Sequence, residues 1–371
     1  MDARRVVFGE RGASLHKYKL RALKSGEVLI KARCSLISIG TETTLYLSRR
    51  WEAGQAANVT PDRAQLDDQW DFDDYGRGDT WDMERNRRFP GYALAGDVIA
   101  VGEGAAGLVV GDRVVALHHH ADLAVVPTKP EIILKIPEGV SYEFATFCVL
   151  GSVSLHAIHR ANLKLGESVV VMGAGLVGLL TLQLARLSGA TPVIVVDLSE
   201  QRLNLARRLG ATYSINPNRE DLISKVREYV GTEGASCTIE AVGNPAVLQA
   251  CLQVSAPGAR VVVTGAIVGK AELDLYSEFI FRELTLIASQ QPRNPVHDSI
   301  YYHMTGQRNR QIMLDLISGG AVNISDLLTH RVSYRDAPEV YRLLGEAKTA
   351  DYDAHGDVHR EMVGVLLDWS D

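Results

Sequence analysis

One short run restricts this chain more than anything else in it: Gly173-Ala174-Gly175-Leu176-Val177-Gly178, set between a block of β-branched residues and a block of aliphatic ones. Ser168 to Met172 reads as a buried strand, and residues 176–188 read as an apolar helix. A strand that turns into a helix through three spaced glycines has few folds open to it. The first glycine permits the tight turn, the second lets backbone approach a bound group, and the third lets the helix press on the sheet. The helix start then presents free N–H groups and partial positive charge, a ready seat for a pyrophosphate.

Asp197 ends the next expected strand, Pro192 to Asp197, and stands 24 residues beyond Gly173. A carboxylate there accepts hydrogen bonds from both hydroxyls of an adenosine ribose and repels a 2′-phosphate, so the pattern favours NAD over NADP. Gly173, Gly175, Leu176, Val177, Gly178 and Asp197 are the first candidate cofactor residues, with Arg202 one helical turn further on. Val242-Gly243 and Thr264-Gly265-Ala266 follow later expected strand ends, where such a cofactor continues across a parallel sheet.

The rhythm around the turn supports this. Arg202 to Gly210 reads as a helix, and strands are expected at 236–241, 260–264 and 284–288. Continuous apolar strands alternating with helices predict a parallel sheet covered on both faces. The first 145 residues differ: short strands such as Glu27–Ala32, Asp97–Gly102 and Arg113–Leu117, broken by glycine, predict a mostly-β domain. Helices near 309–319 and 336–346 and a strand near 362–368 are expected to return to that domain. The division is therefore 1–149 with 290–371 against 150–289, an α/β protein of two domains. Residues 48–89, acidic, with three tryptophans and a basic end, read as a solvated loop or a lid.

Charge and cysteine content narrow the partners. There are 39 basic and 45 acidic residues, a net charge of −6, which favours neither nucleic acid nor an anionic membrane. No apolar run is long enough to span a bilayer and no signal peptide opens the chain, so a cytoplasmic location is expected. The four cysteines, Cys34, Cys148, Cys237 and Cys251, lie far apart and read as core residues, with no structural zinc knuckle among them.

Taken together, Gly40-Thr41-Glu42, Pro90-Gly91-Tyr92, Gly111-Asp112-Arg113-Val114, Ile136 to Val140, Gly173 to Gly178, Asp197, Arg207 to Ala211 and His330-Arg331 resemble the medium-chain dehydrogenase/reductase superfamily over nearly the whole chain. The resemblance implies a GroES-like β domain built from both chain ends, a Rossmann domain between them, and an active site in the intervening cleft. It also implies homodimers or homotetramers, often joined along sheet edges, with Leu284 to Ala288 as the candidate edge. Within the superfamily, Ile37 to Glu42 with Gly91-Tyr92 is similar to bacteriochlorophyllide-type dehydrogenases and to the dehydrogenase half of bi-domain oxidoreductases.

The departures are as informative as the matches. Zinc members carry a cysteine where this chain has Ile39, and His-Glu where it has Tyr92-Ala93; the third ligand position falls on Cys148. A catalytic zinc needs three protein ligands and one open position, so no metal is expected, the alternative being a relocated site that pairs Cys148 with His118 or His120. Without zinc, hydrogen-bonding groups must take the hydroxyl proton. Thr41 as relay, Tyr92 as donor at the vacated position, and His118 or His120 as base form the candidate set. On an extended strand His118 and His120 would share one face and His119 the other. His156 and His159 read as helix-surface or interdomain residues.

The expected activity is NAD-dependent interconversion of a secondary alcohol and a ketone on a polar small molecule such as a sugar, cyclitol or polyol. The alternatives are a zinc-independent quinone or enoyl reductase of the same superfamily, and a dinucleotide-binding protein without catalysis.

Overall fold

Runs such as Val169-Val170-Val171-Met172 and Val193-Ile194-Val195-Val196 are buried along their whole length, which requires cover on both faces of the sheet that holds them. The computed structural model describes residues 1–9, 11–48, 81–82, 87–231, 233–267, 270–290, 303–349 and 361–370. The stretch 48–89 lies outside the described residues except for its ends and residues 81–82. The chain forms two units: Met1–Val149 with Leu328–Asp371, and Leu150–Leu327.

The first unit begins with β1 (Asp2–Gly9), β2 (Gly12–Lys19), β3 (Glu27–Ile37) and α1 (Ile39–Ser48). It continues through β4 (Trp81–Asp82), β5 (Arg87–Arg88), β6 (Leu94–Val101), β7 (Arg113–Ala116), β8 (Leu123–Pro127) and β9 (Ile133–Lys135) into α2 (Tyr142–Ala161), within which the division between units falls. The second unit carries β10 (Val169–Met172), α3 (Leu176–Leu187), β11 (Val193–Val196), α4 (Glu200–Arg208), β12 (Tyr213–Ile215), α5 (Leu222–Val230), β13 (Ala235–Glu240), α6 (Pro245–Val254), β14 (Ser255–Val263), β15 (Thr285–Ala288) and α7 (Gly306–Ser318). The chain then returns to the first unit with β16 (Leu328–Ser333), α8 (Ala337–Thr349) and β17 (Gly364–Asp368).

The sheet of the second unit runs β12-β11-β10-β13-β14-β15 with every neighbouring pair parallel. Strand order reverses between β10 and β13, the topological switch point of a Rossmann sheet, outside whose carboxyl ends ligands bind. One face packs on α5 and α6 through Val170, Ile194, Val226, Leu248, Leu252 and Val261, all buried. Each such side chain contributes about 1.5–3 kcal/mol by leaving water.

Residues 303–327 belong to this second unit, whereas the sequence pattern assigned everything after 289 to the β domain. The reason is packing. Met313 of α7 fills the space over Gly151, and Gln183 of α3 exchanges two hydrogen bonds with the Asn323 backbone, at 2.7 and 3.3 Å.

In the first unit, β16-β17-β3-β6-β7-β9 form one path with β8 added on β3, and β2-β1-β5-β4 form a smaller sheet. The C-terminal β17 lies antiparallel to β3 from Cys34 to Ile37, so the last strand closes the sheet that the third one opens. This is the GroES-like arrangement. Among the described residues no helix is long and apolar enough to cross a membrane.

Candidate functional site

The second unit carries the glycine turn at its switch point. Gly173 has φ +100°, a conformation that disfavours any side chain. A Cβ on Gly178 would run into the Gly173 carbonyl oxygen, so the helix can approach the turn only with glycine there. The N-terminus of α3, at Gly175, has no side-chain cap. The starts of α4, α5, α6 and α7 are each capped, by Ser199, Asp221, Asn244 and Thr305. Uncapped N–H groups at a helix start are left for water or for an anion.

Asp197 follows β11 and accepts from Ala174 N at 2.7 Å and Ser199 N at 2.8 Å, so its carboxylate is fixed beside the turn, with lone pairs left over for further donors. Arg202 lies half-buried in the first turn of α4. Val242 is 52% exposed and its side chain reaches over Gly173, 2.8 Å from where a Cβ would be. Gly243, Thr264, Gly265 and Ala266 sit beyond β13 and β14.

The sequence reading missed two residues here. Glu240 ends β13 beside Met172 and is fully buried. One carboxylate oxygen accepts from Val242 N at 2.9 Å and Gly243 N at 2.7 Å; the other has no hydrogen-bond partner and lies against Gly265. Burial pushes its pKa up. Ser289 stands next to Thr264, because Val263 pairs with Ala288, and both buried hydroxyls lack hydrogen-bond partners. A carboxylate closing a buried strand, as in Thr238-Ile239-Glu240, was the signal available.

The polar candidates of the first unit fall into two groups. Thr41 is exposed in the first turn of α1, and Tyr92 is half-buried. His118 is buried, with its Nδ1 donating to the His119 carbonyl at 2.9 Å, so the neutral ring keeps Nε2 as its proton-accepting atom. Burial lowers its pKa to about 4, helped by the nearby positive charge of Arg5. The expected alternation of His118 to His120 fails because β7 stops at Ala116. Beyond it the chain is irregular, and the His118 and His119 rings lie tilted by 34° with centroids 4.0 Å apart.

His120 is placed differently from what the candidate set assumed. It is fully buried, with Nδ1 2.7 Å from Ser35 Oγ and Nε2 3.0 Å from Glu42 Oε2. Trp369 Nε1 donates to the same Ser35 oxygen at 2.8 Å, and the Tyr341 hydroxyl donates to Glu42 Oε2. Ser38 N donates to Glu42 Oε1 at 2.8 Å. Serine, histidine and glutamate thus stand in a row, but the row is sealed from solvent. Burial beside Glu42 holds the Tyr341 phenol far above its usual pKa.

His156, expected as a helix-surface or interdomain residue, is buried in α2, and burial lowers its pKa to about 4. All four cysteines are buried. The donor set does not suit zinc: Ile39 is aliphatic, and no three His, Cys, Asp or Glu side chains among the described residues group so as to hold a metal ion.

Comparison with known proteins follows the same lines. Residues 177–300 match the zinc-binding dehydrogenase family. L-Threonine 3-dehydrogenase of Pyrococcus furiosus is 28% identical over 374 residues, covering 92% of this chain and 94% of the relative. The similarity to dehydrogenases of this kind therefore runs over nearly the whole chain. D-Guloside 3-dehydrogenase of Escherichia coli is 27% identical over 91% of this chain and 94% of its own length. The crystal structure of 2R,3R-butanediol dehydrogenase from Bacillus subtilis shares the fold, with a TM-score of 0.74, 21% identity and 99% of each chain covered.

Proposed function

We propose that this protein is a medium-chain, NAD-dependent oxidoreductase that interconverts a secondary alcohol and a ketone on a polar metabolite without a catalytic zinc. The observation that carries the reading is the uncapped start of α3 at the switch point, with the Asp197 carboxylate fixed beside it. The open N–H groups at the start of α3 are suited to a pyrophosphate, and Asp197 to the two hydroxyls of an unphosphorylated ribose. Held by these groups, a nicotinamide cofactor would supply the acceptor for a hydride from the carbinol carbon.

The remaining work falls to side chains of the first unit. The Thr41 hydroxyl is exposed and free to turn toward a substrate hydroxyl, and the family resemblance aligns Tyr92 with a position where zinc members carry a ligand. His118 is the proposed base, since only its Nε2 can accept a proton. A hydroxylated substrate suits these groups, and two relatives act, by name, on a guloside and on threonine.

Titration with NADH and NADPH, followed by fluorescence, tests the cofactor assignment. NADH should bind at least about tenfold more tightly, and Asp197→Ala should erase that preference. Equal binding of both nucleotides by the unaltered protein would overturn it. A panel of polyols and cyclitols with NAD, run with and without a chelator, tests the rest. Turnover abolished by the chelator and restored by zinc would refute the metal-free reading. NADPH-driven reduction of quinones or enoyl compounds would replace the alcohol reading.

A further inference from the structure

We infer that His120 is a positioning residue and not the base: held in one neutral tautomer between Ser35 and Glu42, it sets the first turn of α1 that presents Thr41. The inference deepens the proposed function and rests on it for the role of Thr41.

The tautomer follows from counting donors. Trp369 Nε1 can only donate, so Ser35 Oγ accepts from it. The Ser35 proton then needs an acceptor, and the atom within reach is His120 Nδ1, at 2.7 Å. With Nδ1 accepting, the ring proton sits on Nε2 and is donated to Glu42 Oε2 at 3.0 Å. Glu42 Oε2 also receives the Tyr341 hydroxyl, and Oε1 receives Ser38 N. Every donor has one acceptor. The opposite tautomer would aim a lone pair at a carboxylate and strand the Ser35 proton. A doubly protonated ring would strand that proton as well. Both cost more than the arrangement described, because a buried group left unpaired is expensive.

Nothing in this row is left to do chemistry. His120 has no exposed surface and both nitrogens are spent. What the row does is mechanical. Glu42 is the fourth residue of α1 and bonds back to Ser38, just before the helix begins, so its carboxylate fixes the helix entry. Thr41 precedes it and faces outward. The other side of the imidazole bears on Gly91: a Cβ there would meet His120 N at 2.7 Å and ring carbons at 2.8 Å. His120 N also donates to the Pro90 carbonyl at 2.9 Å. The same residue therefore braces the two segments that carry Thr41 and Tyr92.

Side-chain geometry supplies the test. Gln can reproduce the Nε2 donor of histidine, and Asn only the Nδ1 side. His120→Gln should keep kcat/KM within about threefold of the unaltered enzyme, while His120→Asn should lose about tenfold, mostly in kcat. In both, the acidic limb of the pH profile of kcat/KM should stay where it is. Loss of that limb, with both variants down 10²-fold or more, is the behaviour of a base and would overturn the inference. A direct reading needs no turnover: ¹⁵N NMR of the unaltered protein at pH 7 should show His120 protonated at Nε2 alone. A ring protonated at Nδ1, alone or together with Nε2, would refute it. If no alcohol is oxidised at all, the NMR result still decides the tautomer, and the failure then belongs to the proposed function.

Discussion

The two polar centres of this protein are built on opposite principles. At the glycine turn of the second unit, a helix start lacks a side-chain cap and the Glu240, Thr264 and Ser289 side chains keep atoms without hydrogen-bond partners. In the Ser35–His120–Glu42 row of the first unit, each donor meets an acceptor. Unmatched groups next to a ligand seat are useful, since the ligand can complete them. A matched row has nothing to offer a ligand and serves to hold backbone in place. Residue type alone does not separate these cases, because histidine and carboxylate occur in lists of catalytic and of structural residues alike.

Breaking the open centre should give the largest effect. Gly178→Ala pushes a methyl group into the Gly173 carbonyl, and NADH affinity should fall by about 10²-fold or more. Fluorescence titration measures this; affinity within threefold of the unaltered protein would mean that the turn is not the nucleotide seat.

Acid should come next. Burial depresses His118 to about 4 and holds His119 well below its ordinary value. Between an unfolded pKa of 6.5 and these folded values the unfolded chain binds more protons, so their contribution is complete above about pH 6.5 and is lost as pH falls toward 4. Urea unfolding at pH 7 and pH 5 should differ by roughly 2 kcal/mol on account of His118, with His119 adding in the same direction. Glu240, raised by burial, works in the opposite direction, its contribution fading as pH rises through its folded pKa. His118→Gln should flatten the dependence.

The smallest effect belongs to the margin of the closed row. Trp369→Phe removes one donor from Ser35 and should cost about 1 kcal/mol in urea unfolding while leaving NADH affinity unchanged. A change in affinity comparable to that of Gly178→Ala would erase the distinction between the two centres.

Much of the second unit was legible in the sequence. Continuous apolar strands, a glycine turn and an acidic residue at the next strand end are local signals, and β10, α3 and β11 fall within a residue or two of their expected places. The row around His120 was not legible. Ser35, Glu42, His120, Tyr341 and Trp369 come from five separate segments, with up to 334 positions between bonded partners, and no short motif marks such a meeting. The alternation argument at His118 to His120 assumed a strand that had already ended at Ala116. Residues 303–327 carry a helical pattern that says nothing about which unit receives it; only Met313 meeting Gly151 and Asn323 meeting Gln183 decide that.

The closing strand has a consequence for how the polypeptide is made. β3 needs β17 as its neighbour, and Ser35 needs the indole of Trp369, yet more than three hundred residues are synthesised between them. On a ribosome the second unit, contiguous from Leu150 to Leu327, is complete before either partner emerges. The N-terminal strands must wait with bare edges until the final segment arrives, which makes the nascent chain's period of greatest exposure a matter of gene order and not of stability.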